Sequence, residues 1–149
     1  MLTETPKGKA GIIATFGTIG PGFEARNIVS FTLPYKLLYD GNPVTKSRCH
    51  KLIVDNFVAV FTDIKNAGLE DLAKNYGGIY NNRPIRGKTN PSTHSWGIAI
   101  DLEPSKYPLG SSKRFDARII EIFRKHGFMY GGDFSKRKDP MHFQFATNY

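Results

Sequence analysis

A chain of 149 residues with 40% hydrophobic and 23% charged residues has the composition of one globular domain, which excludes disorder, collagen and coiled coil as descriptions of the whole. Its 21 Lys and Arg against 13 Asp and Glu leave a formal charge of +8, so a polyanionic partner is expected. The single cysteine, Cys49, excludes an intrachain disulfide.

No run approaches the ~18 apolar residues of a membrane span, so stable membrane insertion is not expected. Lys7 to Phe23 is the one stretch with the outline of a signal peptide. Gly17, Gly20, Pro21 and Gly22 interrupt its apolar part and Glu4 spoils its basic start. The chain therefore reads as starting at Met1 and made in the cytoplasm without a signal peptide.

In chain order, residues 1–44 are rich in Gly, Pro and Thr and read as loops and brief strands. Residues 46–67 read as a helix. Leu52, Ile53, Phe57, Val60, Phe61 and Ile64 recur at helical spacing, with Thr45 as N-cap and Gly68 as terminator. Gly77 to Asn82 reads as a short strand or turn. Gly97 to Leu102 reads as a strand, with Ile98, Ile100 and Leu102 on one face and Gly97, Ala99 and Asp101 on the other. Residues 113–126 read as a second helix, capped by Ser111 or Ser112 and ended by Gly127. Pro140 to Phe145 alternates Met141, Phe143 and Phe145 with His142 and Gln144, the pattern of a half-buried strand. Two helices and several short strands without a βαβ rhythm predict a single α+β domain, residues 1–149, with a small antiparallel sheet and flanking helices.

Two of these segments carry polar groups that packing does not require. His94 and Asp101 stand seven residues apart, and the small Gly97 and Ala99 leave space before the carboxylate. His142 projects from the polar face of the last strand, three residues after Asp139. Two imidazoles and a carboxylate suit zinc, and three protein ligands leave a fourth position open, as catalytic sites require. A further carboxylate, Asp139, could carry protons, and Arg83 or Arg86 could supply a cation to a substrate carbonyl or carboxylate. Taken singly, His94 could be a loop histidine, Asp101 a strand-end cap and His142 a solvent-facing strand residue. Cys49 and His50 read as helical neighbours without metal-ligand partners at the right spacing, and His126 as a helix C-terminal charge.

The full string Ser92-x-His94-x-x-Gly97-x-Ala99-x-Asp101 is more specific than its parts. With Asp139-x-x-His142 and the stretch Tyr80 to Gly87, it resembles the zinc peptidases that comprise D-alanyl-D-alanine carboxypeptidases and L-alanyl-D-glutamate peptidases. The resemblance runs from about Arg48 to Phe145 and leaves residues 1–44 largely uncovered. It implies the fold shared by those peptidases and the hedgehog signalling domain. It implies one zinc ion held by His94, Asp101 and His142, with Asp139 as general base and acid. Arg83 would be the substrate- or oxyanion-binding cation, Arg86 a second substrate contact, and Ser92 would shape the site. Many members carry Glu where this chain has Asp139, and Trp where it has Phe143. The Asp resembles the phage-lysin branch.

The substrate so implied is the stem peptide of bacterial peptidoglycan, cut between L-Ala and D-Glu by an endolysin that leaves the host cytoplasm to reach the wall. The alternative within the family is removal of the terminal D-Ala. The alternative outside it is a zinc-binding module without turnover. Wall phosphates would account for the +8 charge, and no motif supports nucleic-acid recognition. A monomer without a separate wall-binding domain is expected.

Overall fold

The computed structural model describes Met1–Tyr149 and is an α+β fold with two antiparallel sheets. Residues 1–44 hold more regular structure than their composition suggests. They form helix α1 (Gly8–Phe16), the short helix α2 (Phe23–Asn27) and strand β1 (Ile28–Tyr39). Strand β2 (Asn42–His50) returns along β1, with Ile28 opposite His50 and Tyr39 opposite Asn42. Asp40 and Gly41 join the strands with φ of 49° and 79°. Two positive φ values make the two-residue turn that suits the twist of a hairpin.

The expected helix over 46–67 is thereby corrected. Residues 46–50 pair with β1, Lys51–Ile53 form a single 3-10 turn, and helix α3 spans Val54–Asn66. Thr45 lies within β2 and caps nothing. Leu52 matched the helical spacing by coincidence and is 42% exposed. Phe57, Val60, Phe61 and Ile64 do form the buried stripe.

The second sheet has the order β3-β4-β6-β5: β3 (Tyr76–Gly78), β4 (Ala99–Leu102), β5 (Met129–Tyr130) and β6 (His142–Gln144). Helix α4 (Ala117–Lys125) is shorter than the 113–126 expected. Its cap is Asp116, which accepts from Arg118 N at 2.9 Å, in place of Ser111 or Ser112. Helix α3 packs on the hairpin and on α4, so one aromatic core joins both sheets. Phe143 of β6 stacks on Phe123 of α4 at 3.9 Å between centroids, and Phe115 and Tyr130 pack round it. This core fixes β6, and β6 carries His142.

Candidate metal centre

Register brings the first two donors together. Asp101 of β4 stands directly opposite His142 of β6, and His142 Nδ1 lies 3.0 Å from Asp101 Oδ1. The third arrives on a 3-10 turn, Thr93–Trp96, just ahead of β4. Ser92 caps that turn by accepting from His94 N at 3.3 Å. His94 Nε2 then sits 3.3 Å from Asp101 Oδ2. One donor atom from each of His94, Asp101 and His142 falls within 4.8 Å of the others.

Gly97 and Ala99 have a different reason from the one expected. Gly97 has φ of 70°, and a Cβ there would lie 2.7 Å from His50 N and 2.8 Å from Ile28 Cδ1. It ends the turn and admits the foot of the hairpin, which locks on through His50 N donating to Gly97 O at 2.9 Å. Ala99 is fully buried opposite Gln144. The residue that approaches the carboxylate closely is Gly77 of β3, where a Cβ would lie 2.8 Å from Asp101 Cβ.

Both imidazoles have their outer nitrogen committed. His94 Nδ1 donates to Ile79 O at 2.7 Å, which leaves the Nε2 lone pair pointing inward. That atom is buried without a hydrogen-bond partner. His142 Nε2 faces Gln144 Oε1 at 2.8 Å. Gln144 Nε2 donates to Ala146 O and Tyr149 O, so its oxygen must be the atom turned to His142. Thr93 Oγ1 donates to the same oxygen at 3.1 Å. His142 Nε2 therefore carries the proton, and its Nδ1 lone pair faces the centre. Outer partners of this kind fix tautomer and ring orientation at metal sites. Ile79 O, Thr93 and Gln144 lie outside the motif. Gln144 was legible as the residue two along from His142 on one strand face.

Burial raises the Asp101 carboxyl, but the two imidazoles against it, His142 and then His94, outweigh that and hold the group well below the ordinary aspartate range. Burial lowers His142, yet Asp101 and then Asp139 overcome that and raise it. Asp139 is raised, by burial first and by Asp101 as well, against the pull of His142. Its Oδ1 is buried without a partner, and its Oδ2 lies 3.8 Å from His142 Nδ1. Inward lone pairs and two carboxylates in one place are a donor set that could hold a cation. Two His nitrogens, a carboxylate oxygen and an open side fit zinc.

The open side is a cavity of about 140 Å³ over the three donors, with Asp139, Arg83 and Arg86 in its wall. Arg83 is positioned through its backbone: its N donates to Ser95 Oγ at 3.0 Å, and that hydroxyl donates to Arg83 O at 2.7 Å. Ser92 also borders the cavity, with its hydroxyl engaged by the backbone of His94. A second hollow of about 790 Å³ adjoins the first and shares Arg86, Asp101 and Met141 with it. Its far walls are the hairpin tip, the β3 segment and residues 103–106.

The remaining polar candidates lie elsewhere. Cys49 is at the end of β2 rather than on a helix, and burial pushes its thiol up to about 12. His50 accepts from Leu52 N and donates to Phe16 O, and burial holds its pKa down. His126 pairs with Asp63 at 2.6 Å.

Residues 86–145 match a protein-family model described as D-alanyl-D-alanine carboxypeptidase. The matched span contains Arg86, Ser92, His94, Asp101, Asp139 and His142 and stops short of Arg83. Over that span the chain carries the pattern of this peptidase family, whose peptidoglycan-directed members the motif resembled. No curated protein matches the chain.

Proposed function

We propose that this protein is a zinc-dependent L-alanyl-D-glutamate endopeptidase of peptidoglycan, a phage endolysin that acts on the wall after release from the host cytoplasm. The observation that carries the endopeptidase reading is the pair of hollows meeting at Asp101. A peptide can continue on both sides of a bond placed there, whereas a carboxypeptidase needs room beyond the bond for one terminal residue only. Small size and the +8 charge suit delivery to an anionic wall.

His94 Nε2, His142 Nδ1 and an Asp101 oxygen would hold the zinc. The ion would polarise the scissile carbonyl and acidify the attacking water. Asp139 does the proton work. Its buried, unpartnered Oδ1 takes the proton of the water and returns it to the departing amine nitrogen. Arg83 offers a guanidinium to the developing oxyanion. Gln144, Thr93 and Ile79 O keep both rings aimed and in one tautomer.

D-alanyl-D-alanine carboxypeptidase is the second reading, favoured by the description of the matching family. Mass spectrometry of digested peptidoglycan, with an EDTA control, separates them. New L-Ala C-termini and D-Glu N-termini that vanish with EDTA are expected. Release of D-Ala alone would move the protein to the second reading. Turnover that survives thorough chelation would remove the metal from the mechanism.

A further inference from the structure

The sequence contains eight arginines. Arg48, Arg114, Arg118 and Arg124 each pair with a carboxylate at 2.6–3.1 Å. Of the four that pair with none, three line the single cavity over His94, Asp101 and His142: Arg83, Arg86 and Arg137. Arg137 belongs to no part of the motif. It lies two residues before Asp139 and reaches across to donate from Nη2 to Arg86 O at 2.7 Å. That bond ties residues 83–91 to residues 134–139 and makes the cationic rim one wall. Arg83 uses one Nη1 donor on Pro84 O at 3.2 Å. A guanidinium has five donors in a rigid fork that matches a carboxylate, so each of these keeps most of its capacity unspent.

Three guanidiniums without a protein counter-charge repel one another, and that cost falls when an anion enters. The cavity's own carboxylates do not cancel them, because Asp101 faces the two imidazoles and Asp139, which feels Arg83 at a distance, forms no ion pair with any of the three. We infer that Arg137, with Arg83 and Arg86, reads a free carboxylate on the substrate residue next to the scissile bond. This rests on the peptidase reading above. In a stem peptide the D-glutamate is joined onward through its side-chain carboxyl. Its α-carboxylate therefore sits on the carbon that bears the scissile nitrogen. A wall in which that group is a carboxamide would be a poor substrate, and amidation would act as protection against this enzyme. A C-terminal carboxylate presents the same chemistry at the chain end.

The test uses the zinc-loaded protein and matched synthetic stem peptides, one with the D-Glu α-carboxylate and one with the carboxamide, each with a free or an amidated C-terminus. The internal carboxylate should be cleaved with kcat/KM about 10- to 100-fold above the carboxamide, the scale of charge-assisted hydrogen bonding. R137Q keeps a donor for Arg86 O and loses the charge. It should shrink that preference severalfold, chiefly through KM for the acid, with cleavage of the acid falling more than cleavage of the carboxamide. R137K should keep part of the preference. A preference that follows only the C-terminal carboxylate, and falls in R137Q, would retain the arginine receptor and assign it to the chain end. Equal cleavage of all peptides by the wild type would overturn the inference. An R137Q variant that loses the same factor on acid and amide would also overturn it, because Arg137 would then only brace the loop. If neither peptide is cleaved, the peptidase reading itself fails, and this inference with it.

Discussion

At Asp139 two demands meet in one side chain. It must lie close enough to the donors to reach a water between them, yet it must not become a fourth protein ligand. Its Oδ2 stands 3.8 Å from His142 Nδ1 and its Oδ1 has no partner, which satisfies both. Asp139→Asn keeps size and position and removes the basic oxygen. The expected result is zinc content equal to the wild type and turnover reduced about 10²- to 10⁴-fold, the usual worth of general acid–base catalysis. Metal analysis beside a single-substrate rate assay checks it, and a rate within threefold of wild type would remove Asp139 from the proton path. Gln144 acts one step further out, through the tautomer of His142. Gln144→Ala should weaken zinc binding about 10- to 100-fold, read by competition with a chelating dye. Gln144→Glu should bind zinc better than the Ala variant, since a carboxylate also accepts from His142 Nε2.

At the scale of elements, the centre depends on how a hairpin foot meets a single turn. The turn Thr93–Trp96 carries His94, and Gly97 closes it with a positive φ against the backbone of His50. Gly97→Ala adds a left-handed backbone cost and a contact 2.7 Å from a main-chain nitrogen. Together these should cost about 2–4 kcal/mol, lowering Tm by roughly 5–15 °C in a chain of this size. Part of the loss should appear as weaker zinc binding, because His94 moves with the turn. A thermal melt with and without zinc measures both, and an unchanged melt would mean that the hairpin yields freely.

The same junction shows what was and was not legible. The spacing within Ser92–Asp101 points to a site, and the alternation in Met141–Phe145 points to a strand, because those patterns are local. That Gly97 serves the hairpin could not be read, since the hairpin lies some fifty residues upstream. The hairpin had a signal of its own in Asp40-Gly41, whose positive φ values suit a two-residue turn. It was hidden by Leu52 and Ile53, which happen to fall in phase with the stripe of α3 and extend it backwards into β2. Helix α1 carries little amphipathic contrast across Gly8–Phe16, so periodicity gives no sign of it. Its place comes from the core contacts of Ile12 and Phe16, which are tertiary.

At the scale of the whole molecule, the charge of +8 and the peptidase centre are separable devices, and salt separates them. Lys and Arg spread over the surface raise the local concentration of enzyme at a polyanionic wall, and that attraction is screened over about 8 Å at physiological ionic strength. Chemistry at the three donors, where Asp101 stands against the two imidazoles, is screened far less. Cleavage of intact walls should therefore fall severalfold between about 50 mM and 500 mM salt. Cleavage of a short, uncharged-ended stem peptide, which meets the enzyme without long-range attraction, should change much less. Measuring both substrates with one preparation across that range gives the comparison. Parallel losses would place the salt sensitivity in the cavity, at the Arg83, Arg86 and Arg137 rim, because only there would both substrates depend on the same charges. A loss confined to intact walls would place it on the surface, and reversing exposed charges far from the cavity, such as Lys36 and Lys46 on the hairpin, should then reproduce it at low salt.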